Sequence, residues 1–338
     1  MEILRLDGLC KQYPAFRLDN VSFSMEAGTI MGLIGRNGAG KTTTLKSMLH
    51  LVHPDAGKIT ICGLDMDADE RAIRSRIGFV SGGASYYQRK RLRELTDVTK
   101  DFYPGWDGER YARLVRQFSL DERKRVCELS EGMKVKYQLA VAMSHKAELL
   151  ILDEPTSQLD PIAASDFLAT LGKINRELGT TIILTEHRLE EAFSFASRVA
   201  VMDGGRLLCS GTPAEVGAEL KSSGNAMFFA MPAAMRIWAA TDSKAVCPIS
   251  VCDGRNWLLE YAKTHELKPI PEENKNAPDT ETVVSAREIW FKYDKDLPDV
   301  VKGLSLELHK GEFLALLGGN GTGKTTTLKL LASLKKPY

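Results

Sequence analysis

The chain has 338 residues, of which 43% are hydrophobic and 26% charged, and its formal net charge is +1. This near-neutral balance excludes a bulk electrostatic attraction to nucleic acid, so we expect no nucleic-acid partner, and no apolar stretch reaches the ~18 residues of a membrane-spanning helix. Six scattered cysteines without a C-x-x-C pair, and an N-terminus that lacks a signal-peptide pattern, predict a cytosolic protein with reduced thiols.

The pattern of apolar residues predicts the following elements in chain order. Residues 1–50 predict strands and turns, then a glycine-rich loop and a helix over 43–51. Residues 57–80 predict short strands around a turn at Gly63, and residues 86–147 are rich in helical patterns. Strands and helices then alternate, with strands over 149–152, 181–184 and 199–202 and helices over 161–178 and 188–196. This alternation predicts an α/β fold with a mostly parallel sheet covered by helices.

A glycine-rich loop of the form G-x-x-x-x-G-K-[ST] occurs twice, over residues 35–42 and 318–325. Each copy follows an apolar run that predicts a strand, over 29–34 and 313–317. The glycines let backbone N–H groups converge on phosphate oxygens, and the following helix presents its positive end to them. Lys41 would reach the β- and γ-phosphates. The candidate nucleotide-binding residues are Asn37, Gly38, Gly40, Lys41, Thr42 and Thr43 in the first copy, and Asn320, Gly321, Gly323, Lys324, Thr325 and Thr326 in the second.

Two adjacent carboxylates end the apolar strand over 149–152. Residues at the carboxyl end of a parallel strand face the ligand crevice of an α/β sheet. Asp153 is therefore a candidate Mg²⁺ ligand, together with the Thr42 hydroxyl. Glu154 is a candidate base that accepts a proton from an attacking water, or orients it.

The repeat also predicts the domain organisation. We expect a complete nucleotide-binding domain over 1–221, an accessory segment and linker over 222–282, and the truncated start of a second nucleotide-binding domain over 283–338. Residues 269–282 are polar and contain prolines, which is typical of a linker. Only 14 residues follow Lys324, too few for a second α/β domain, so we expect a fragment of a longer chain rather than a vestigial second copy.

The pentapeptide LSEGM, residues 129–133, opens a predicted helix that runs to about His145. Ser130 is a candidate N-cap, because its side chain can accept a hydrogen bond from a free N–H of the first turn. Two interpretations stay open from these residues alone. The pentapeptide is either a simple helix start or a second helix end that binds phosphate.

In order and spacing, these motifs resemble those of the ATP-binding subunits of ABC transporters. The resemblance covers about residues 3–220 and restarts over 284–338, and it identifies 35–42 as Walker A, 129–133 as the signature, 149–154 as Walker B and 157–160 as the D-loop. It implies a P-loop NTPase fold, in which the mostly parallel sheet is accompanied by an antiparallel β subdomain and a helical subdomain.

The same resemblance implies ATP and Mg²⁺ as cofactors and hydrolysis of ATP to ADP and phosphate, with Lys41, Glu154 and His187 as the catalytic residues. His187 would contact the γ-phosphate. Tyr13 would stack on adenine, and Tyr293 or Phe291 would be its later counterpart.

A head-to-tail dimer of nucleotide-binding domains is a further implication of the resemblance. Ser130 and Gly132 of one domain would complete the ATP site of the other, and Asp160 of the D-loop would be a further nucleotide contact. ATP would then favour the closed dimer, and hydrolysis would release it. The implied partners are a second nucleotide-binding domain and integral membrane permease subunits, at the cytoplasmic face of the cell membrane, where the chain would be peripheral.

The sequence departs from the family pattern in two motifs. Glu131 stands in the signature, where LSGGQ is usual. If the Glu131 side chain points away from the phosphate, the signature can still complete the ATP site of the opposite domain. If it points toward the phosphate, ATP binding across the dimer is weaker. The family usually has a glutamine directly after the strand near Phe79, but residues 81–85 contain none. The nearest glutamine, Gln88, lies further along the chain than expected. This departure puts coupling to a membrane partner in question.

A third departure is that two subfamilies are represented. Residues 78–150 resemble ATPases of bacterial antibiotic- or peptide-export systems, and residues 157–338 resemble the duplicated ATPases of energy-coupling-factor, cobalt-type importers. We hypothesise a composite chain with its seam at 152–157, joined by recombination or by sequence assembly.

The leading functional hypothesis is a subunit that hydrolyses ATP to power transport by a separate permease. One alternative is a soluble ABC ATPase that acts on ribosomes or DNA, for which the 222–282 segment does not resemble the expected long charged helical linker. The other alternative is a nucleotide-binding module with little turnover, suggested by the missing glutamine and the incomplete second domain.

Overall fold

The computed structural model describes residues 1–83, 87–241, 243–266 and 281–338. Within these ranges, residues 1–159 and 163–266 form one compact unit, and residues 160–162 and 281–338 form a second. In the described part of the chain, no helix is both long enough and apolar enough to cross a bilayer. Residues 269–280 of the linker expected over 269–282 lie outside the described residues.

The first unit contains two sheets and a set of surrounding helices. Its strands are β1 (Glu2–Tyr13), β2 (Phe16–Glu26), β3 (Ile30–Gly35), β4 (Ala56–Ile61), β5 (Leu64–Asp65), β6 (Ile77–Ser81), β7 (Leu149–Asp153), β8 (Thr181–Thr185), β9 (Arg198–Asp203) and β10 (Arg206–Gly211). Its helices are α1 (Lys41–Met48), α2 (Met66–Arg74), α3 (Leu92–Lys100), α4 (Gly108–Gln117), α5 (Glu131–Ser144), α6 (Pro161–Leu178), α7 (Leu189–Phe195), α8 (Pro213–Ser222), α9 (Ala233–Ala239) and α10 (Val251–Ala262).

The central sheet has six strands in the order β10-β9-β3-β8-β7-β6. All neighbours pair in parallel except β10, which pairs antiparallel with β9. β3 is buried along its whole length, as expected for a strand covered on both faces of a parallel sheet. The register pairs Thr185 with Leu33 on one side and with Asp153 on the other, so the carboxyl ends of β3, β8 and β7 lie side by side. This confirms the predicted α/β fold.

The second sheet is antiparallel, with strands in the order β2-β1-β4-β5. Helices α4 and α5 pack against each other, with Tyr111, Leu114 and Leu139 in the shared apolar core. The unit therefore has the mostly parallel sheet, the antiparallel β part and the helical part that the resemblance to ABC ATPases implies.

Two local details differ from the sequence predictions. α1 begins at Lys41, two residues earlier than predicted, and ends at Met48. α2 lies in a region predicted to hold only short strands and a turn, and Asp65 caps it by accepting a hydrogen bond from the Asp67 N–H at 3.0 Å. Only Met66 and Ile73 of this helix are buried, so its apolar pattern was too sparse to reveal it.

The segment after α8 is part of the first unit and packs against its central sheet and helices. A short 3₁₀ turn over Ala226–Ala230 leads into α9, and α10 follows. Met227, Met231, Met235 and Trp238 pack in one cluster with apolar residues of the central sheet, α7 and α8. Part of the segment expected to be accessory and linker is therefore folded and shares a core with the preceding domain.

The second unit contains β11 (Thr282–Phe291), β12 (Val301–His309) and α11 (Lys324–Leu331). The two strands form an antiparallel hairpin, and Phe291, Val301 and Leu330 form its small core. The strand predicted over 313–317 is wrong, because these residues have no regular structure and Phe313 and Leu317 are 95% and 91% exposed. In the first unit, β3 is held between β8 and β9; the described residues of the second unit include no such flanking strands.

Candidate functional site

The first glycine-rich loop joins β3 to α1 and wraps around the start of that helix. Gly40 is the residue before α1 and has a φ of 102°, in the region that favours glycine. A Cβ at this position would lie 2.9 Å from Leu18 Cδ1, so a larger residue would crowd this side chain in addition to straining the backbone. Asn37 and Gly38 lie in the loop, and Thr42 and Thr43 lie in the first turn of α1. The backbone therefore directs the N–H groups of the helix start into the loop.

Lys41 is enclosed by this loop, with only 5% of its surface exposed. Its Nζ donates hydrogen bonds to the backbone carbonyls of Gly35 at 2.8 Å and Arg36 at 3.2 Å. Burial lowers the pKa of Lys41, while the charges of Glu154 and Asp153 act in the opposite direction. A cation held in this way, beside backbone N–H groups, suits the phosphates of a nucleotide.

The tip of β7 lies next to the start of α1. The Thr42 hydroxyl donates a hydrogen bond to Asp153 Oδ1 at 3.2 Å, although the two residues are 111 positions apart in sequence. Thr185, which the sequence analysis did not select, donates to the same oxygen at 2.9 Å. The two motifs expected to share one nucleotide are therefore in contact.

The residues present fit a Mg²⁺ ion. A carboxylate oxygen and a hydroxyl are hard ligands of the type that Mg²⁺ takes, and the ion is usually completed by water and substrate phosphates. Among the described residues, no group of three or more His, Cys, Asp and Glu side chains is arranged to hold a metal. A Mg²⁺ ion at Thr42 and Asp153 would thus depend on the nucleotide for further ligands.

Glu154 follows β7 and has an unusual backbone conformation for a residue with a side chain, with a φ of 47°. Its N–H donates to Thr185 Oγ1 at 2.8 Å. Its Oε1 lies 2.8 Å from Nε2 of His187, and both side chains are partly exposed. The structure therefore brings together the two residues expected to act on the γ-phosphate and its attacking water.

A cavity of about 570 Å³ opens beside the loop and is lined by Ala15, Phe16, residues 37–43 and Glu154. Tyr13, the residue expected to stack on adenine, is not among the lining residues. Its ring centroid lies 6.4 Å from that of Phe16, and the two residues pair across the β1–β2 hairpin. Phe16 was not among the predicted site residues, because no local pattern shows which residue of the β1–β2 hairpin lines the cavity.

The signature pentapeptide forms the start of α5. Ser130 is the N-cap, and its Oγ accepts a hydrogen bond from the Met133 N–H at 3.3 Å. Gly132 lies in the first turn. Glu131 is held by an ion pair with Lys134, with 2.6 Å between Oε1 and Nζ. Lys134 thus offsets the negative charge at this helix end. Neither Ser130 nor Gly132 lines the cavity beside Lys41, and Asp160 directly precedes α6.

The stretch after β6, where the sequence lacks the usual glutamine, packs tightly against β7. Gly82 donates its N–H to the Asp153 carbonyl at 2.9 Å. A Cβ at Gly82 would lie 1.9 Å from the Glu154 carbonyl oxygen, so no larger residue fits there. Gln138 of α5 contacts the neighbouring Ser81, whose N–H donates to its Oε1 at 3.0 Å. Residues 84–86 of this stretch lie outside the described residues.

The second loop repeats the conformation of the first. Gly318 has the same φ as Gly35, 156°, and Gly323, which precedes α11, has a φ of 89°. Nζ of Lys324 donates to the carbonyls of Gly318 at 2.6 Å and of the next residue at 2.5 Å. The remaining candidates lie in the loop, namely Asn320 and Gly321, or at the start of α11, namely Thr325 and Thr326.

Aromatic residues lie close to this second loop. The Tyr293 hydroxyl is 3.0 Å from Thr326 Oγ1, and the ring of Tyr293 packs edge-on against Phe291 with 5.1 Å between centroids. Tyr293 thus contacts the first turn of α11, whereas Phe291 is buried in the core of the second unit.

Comparison with known proteins places these features in a family. The ABC transporter family profile matches residues 18–157 and 301–338. A Bacillus thuringiensis subsp. konkukian protein, provisionally named an ABC transporter ATP-binding protein, is 33% identical over 336 residues, covering 95% of this chain and 59% of that protein. The chain thus spans little more than half the length of this relative, which aligns across positions 152–157.

Two further proteins are similar to part of the chain. The Nod factor export ATP-binding protein I of Burkholderia lata is 38% identical over 202 residues, covering 58% of this chain and 66% of that protein. A solved ATP-binding subunit of an ABC transporter superposes with a TM-score of 0.60 at 25% identity, covering 71% of this chain and all of the other. The chain therefore belongs to the ABC transporter family and has the fold of its ATP-binding subunits.

Proposed function

We propose that the chain is an ATP-binding subunit that hydrolyses ATP to ADP and phosphate to drive a separate membrane permease, from the cytoplasmic face of the membrane. The observation that carries this proposal is the contact of Thr42 with Asp153, because it joins the phosphate-binding loop to the acidic strand tip. Binding of one Mg·ATP requires both segments to lie within reach of the same phosphates.

ATP binding would use the first loop. Lys41 and the N–H groups at the start of α1 would bind the β- and γ-phosphates, replacing the carbonyl contacts that Lys41 makes in the loop. Phe16 and Tyr13 would provide an aromatic surface for adenine. Thr42 and Asp153 would hold Mg²⁺, which neutralises charge on the transferred phosphoryl group.

Hydrolysis would depend on Glu154 and His187. Glu154 would accept a proton from the attacking water or orient it, and His187 would hold Glu154 in place and contact the γ-phosphate. The hydrogen bond between these side chains supports this pairing, since it places the base and the γ-phosphate contact beside each other. Lys41 would stabilise the negative charge that develops as the bond to the leaving phosphate breaks.

A second nucleotide-binding domain would complete the site, through Ser130, Gly132 and Asp160 of the opposite copy. The N-terminus of α5, capped by Ser130, offers N–H groups and a positive helix end to a phosphate. The Glu131–Lys134 ion pair supports this proposal, because Lys134 offsets the acidic charge that would otherwise repel the phosphate.

A permease segment would dock into an apolar groove of about 760 Å³ that is bordered by β6, α3 and α5. Exposed apolar residues lie along it, namely Leu51, Tyr87, Val98 and Phe102. Large exposed apolar patches on a water-facing protein mark interaction surfaces. The basic residues at the groove, Arg74, Lys90 and Lys134, each form an ion pair with a glutamate of the chain, so the apolar surface rather than charge supports this docking site.

The experiment that tests the proposal measures phosphate release by the purified chain and its recovery with membrane proteins. We expect Mg²⁺-dependent hydrolysis of ATP and co-purification with an integral membrane permease from the source cells. Nucleotide binding without turnover would favour the binding module, and co-sedimentation with ribosomes would favour the alternative of a soluble ABC ATPase. Failure to bind ATP at all would overturn the proposal.

A further inference from the structure

We propose that Thr185 is a positioning residue that holds both acidic groups of the nucleotide site through its single hydroxyl. It orients the Asp153 carboxylate and fixes the backbone of Glu154. The inference deepens the proposed function and rests on it, since it assigns a role within the same reaction.

Thr185 is the last residue of β8 and is fully buried. Its hydroxyl donates a hydrogen bond to Asp153 Oδ1 at 2.9 Å and accepts one from the Glu154 N–H at 2.8 Å. A hydroxyl has one hydrogen to donate and two lone pairs to accept with, so both bonds form together. The parallel register, which pairs Thr185 with Asp153, places the hydroxyl between the two residues.

The bond to Asp153 sets the orientation of the carboxylate. Oδ1 accepts from two hydroxyls, those of Thr42 and Thr185. Thr42 is itself a candidate Mg²⁺ ligand, so its hydroxyl would be shared with the ion. Thr185 is not a candidate metal ligand, so its hydroxyl would not be shared with the ion. A hydrogen bond to an ionised carboxylate is among the stronger hydrogen bonds. Thr185 therefore keeps Asp153 in the orientation that it needs before the metal arrives.

The hydrogen bond from the Glu154 N–H to Thr185 stabilises an unfavourable backbone conformation of Glu154. A positive φ is unfavourable for any residue with a Cβ, and it persists only where the surroundings impose it. Thr185 supplies the acceptor for the Glu154 N–H in that conformation. The side chain of Glu154 then reaches His187 at 2.8 Å. Loss of the hydroxyl would thus displace the base as well as the metal ligand.

Replacement of Thr185 by valine removes the hydroxyl and keeps the branched shape that suits a buried strand. Thr185→Ser keeps the hydroxyl. Thr181→Val is the matched control, because Thr181 is also buried, lies at the opposite end of β8 and accepts a hydrogen bond from the Gly28 N–H at 3.0 Å. The three variants separate the hydroxyl at the site from a general need for a buried threonine in this strand.

Two quantities are measured on the full chain: steady-state ATP hydrolysis, and the affinity for Mn²⁺ in the presence of ADP, followed by electron paramagnetic resonance. We expect Thr185→Val to lower kcat about tenfold or more and to weaken Mn²⁺ binding about tenfold. We expect Thr185→Ser to recover most of both losses and Thr181→Val to match the wild type.

Wild-type Mn²⁺ affinity and kcat in Thr185→Val would overturn the inference and leave the proposed function standing. Equal losses in Thr181→Val would also overturn it, because the effect would then be structural. If the wild type hydrolyses no ATP but Thr185→Val still weakens Mn²⁺ binding, the proposed function fails and the positioning role of Thr185 stands. Should Thr185→Val not fold, Thr185→Ala compared with Thr185→Ser tests the same hydroxyl.

Discussion

Nε2 of His187 lies 2.8 Å from Oε1 of Glu154. This contact connects the residue that follows β7 with the loop that follows β8. Either the imidazole donates to the carboxylate in one tautomer, or a protonated imidazole forms an ion pair with it. A γ-phosphate that contacts His187 would share or replace this bond. Nucleotide binding and the orientation of Glu154 would therefore be linked through one imidazole.

The first prediction concerns the base. We expect Glu154→Gln to keep ATP binding and to lower turnover by about 10²-fold or more, because a glutamine accepts no proton from the attacking water. Phosphate release and equilibrium ATP binding measure the two quantities. Glu109→Gln, an exposed change in the first turn of α4, is the control and should match the wild type. Unchanged hydrolysis in Glu154→Gln would remove Glu154 from this role.

The second prediction separates the two aromatic residues near the loop. Phe16 lines the cavity and Tyr13 does not, so we expect Phe16→Ala to weaken ATP binding by about 1–3 kcal/mol and Tyr13→Ala to weaken it less. Calorimetric titration with ATP measures both. Tripolyphosphate, which has no base, should bind both variants alike. A larger loss in Tyr13→Ala would restore Tyr13 as the main adenine contact.

The third prediction concerns the segment that follows α8. Met235 of α9 is fully buried in the cluster shared with α7 and α8, so Met235→Ala should lower the free energy of unfolding by about 2–5 kcal/mol. Ile237→Ala, on the same helix but half exposed, should cost far less. Urea unfolding of the full chain measures the difference. Similar costs for both variants would show that α9 does not share this core.

The fourth prediction concerns Glu186, which lies beside His187 and is only 3% exposed. Burial raises its pKa above the ordinary 4.5, although the hydrogen bond from Thr156 Oγ1 at 2.8 Å lowers it in part. In the native state this group holds its proton to higher pH than in the unfolded state, so it stabilises the fold at low pH and that stability is lost as pH rises through the native pKa.

Glu186→Gln has no proton to lose. Its melting temperature relative to the wild type should therefore rise as the pH increases from about 4.5 to 8. Thermal unfolding of both proteins across this range measures the difference, and groups common to the two proteins cancel in the comparison. A difference that is constant with pH would mean that the pKa of Glu186 is the same in the folded and unfolded states.

The sequence predicted the elements that the motifs define. The parallel sheet, the loop before Lys41 and the strand that ends at Asp153 follow from local patterns, because glycine spacing and short apolar runs are read without knowledge of distant contacts. Thr185 and Phe16 were missed because their importance depends on which strands are neighbours. That information lies in the register of β7 with β8 and of β1 with β2, which no local pattern encodes.

The predicted strand before Lys324 failed for a related reason. An apolar run forms a buried strand only where flanking strands supply hydrogen bonds, and residues 313–317 have none in the described part of the second unit. The packing of Met227 and Met231 was likewise not predicted. Pro232 interrupts the helical periodicity there, so the sequence does not show which face of the segment is buried. The structure identifies that face by its contacts with residues of α7 and α8.

The central claim is that the loop around Lys41 and the strand tip at Asp153 bind one Mg·ATP. The most direct test is ATP affinity with and without Mg²⁺, measured in a Lys324→Ala background so that the second loop contributes little. We predict that Mg²⁺ strengthens ATP binding and that Asp153→Asn removes most of this gain, whereas Lys41→Ala weakens binding under both conditions. An unchanged Mg²⁺ dependence in Asp153→Asn, with ATP still bound at the first loop, would contradict the claim.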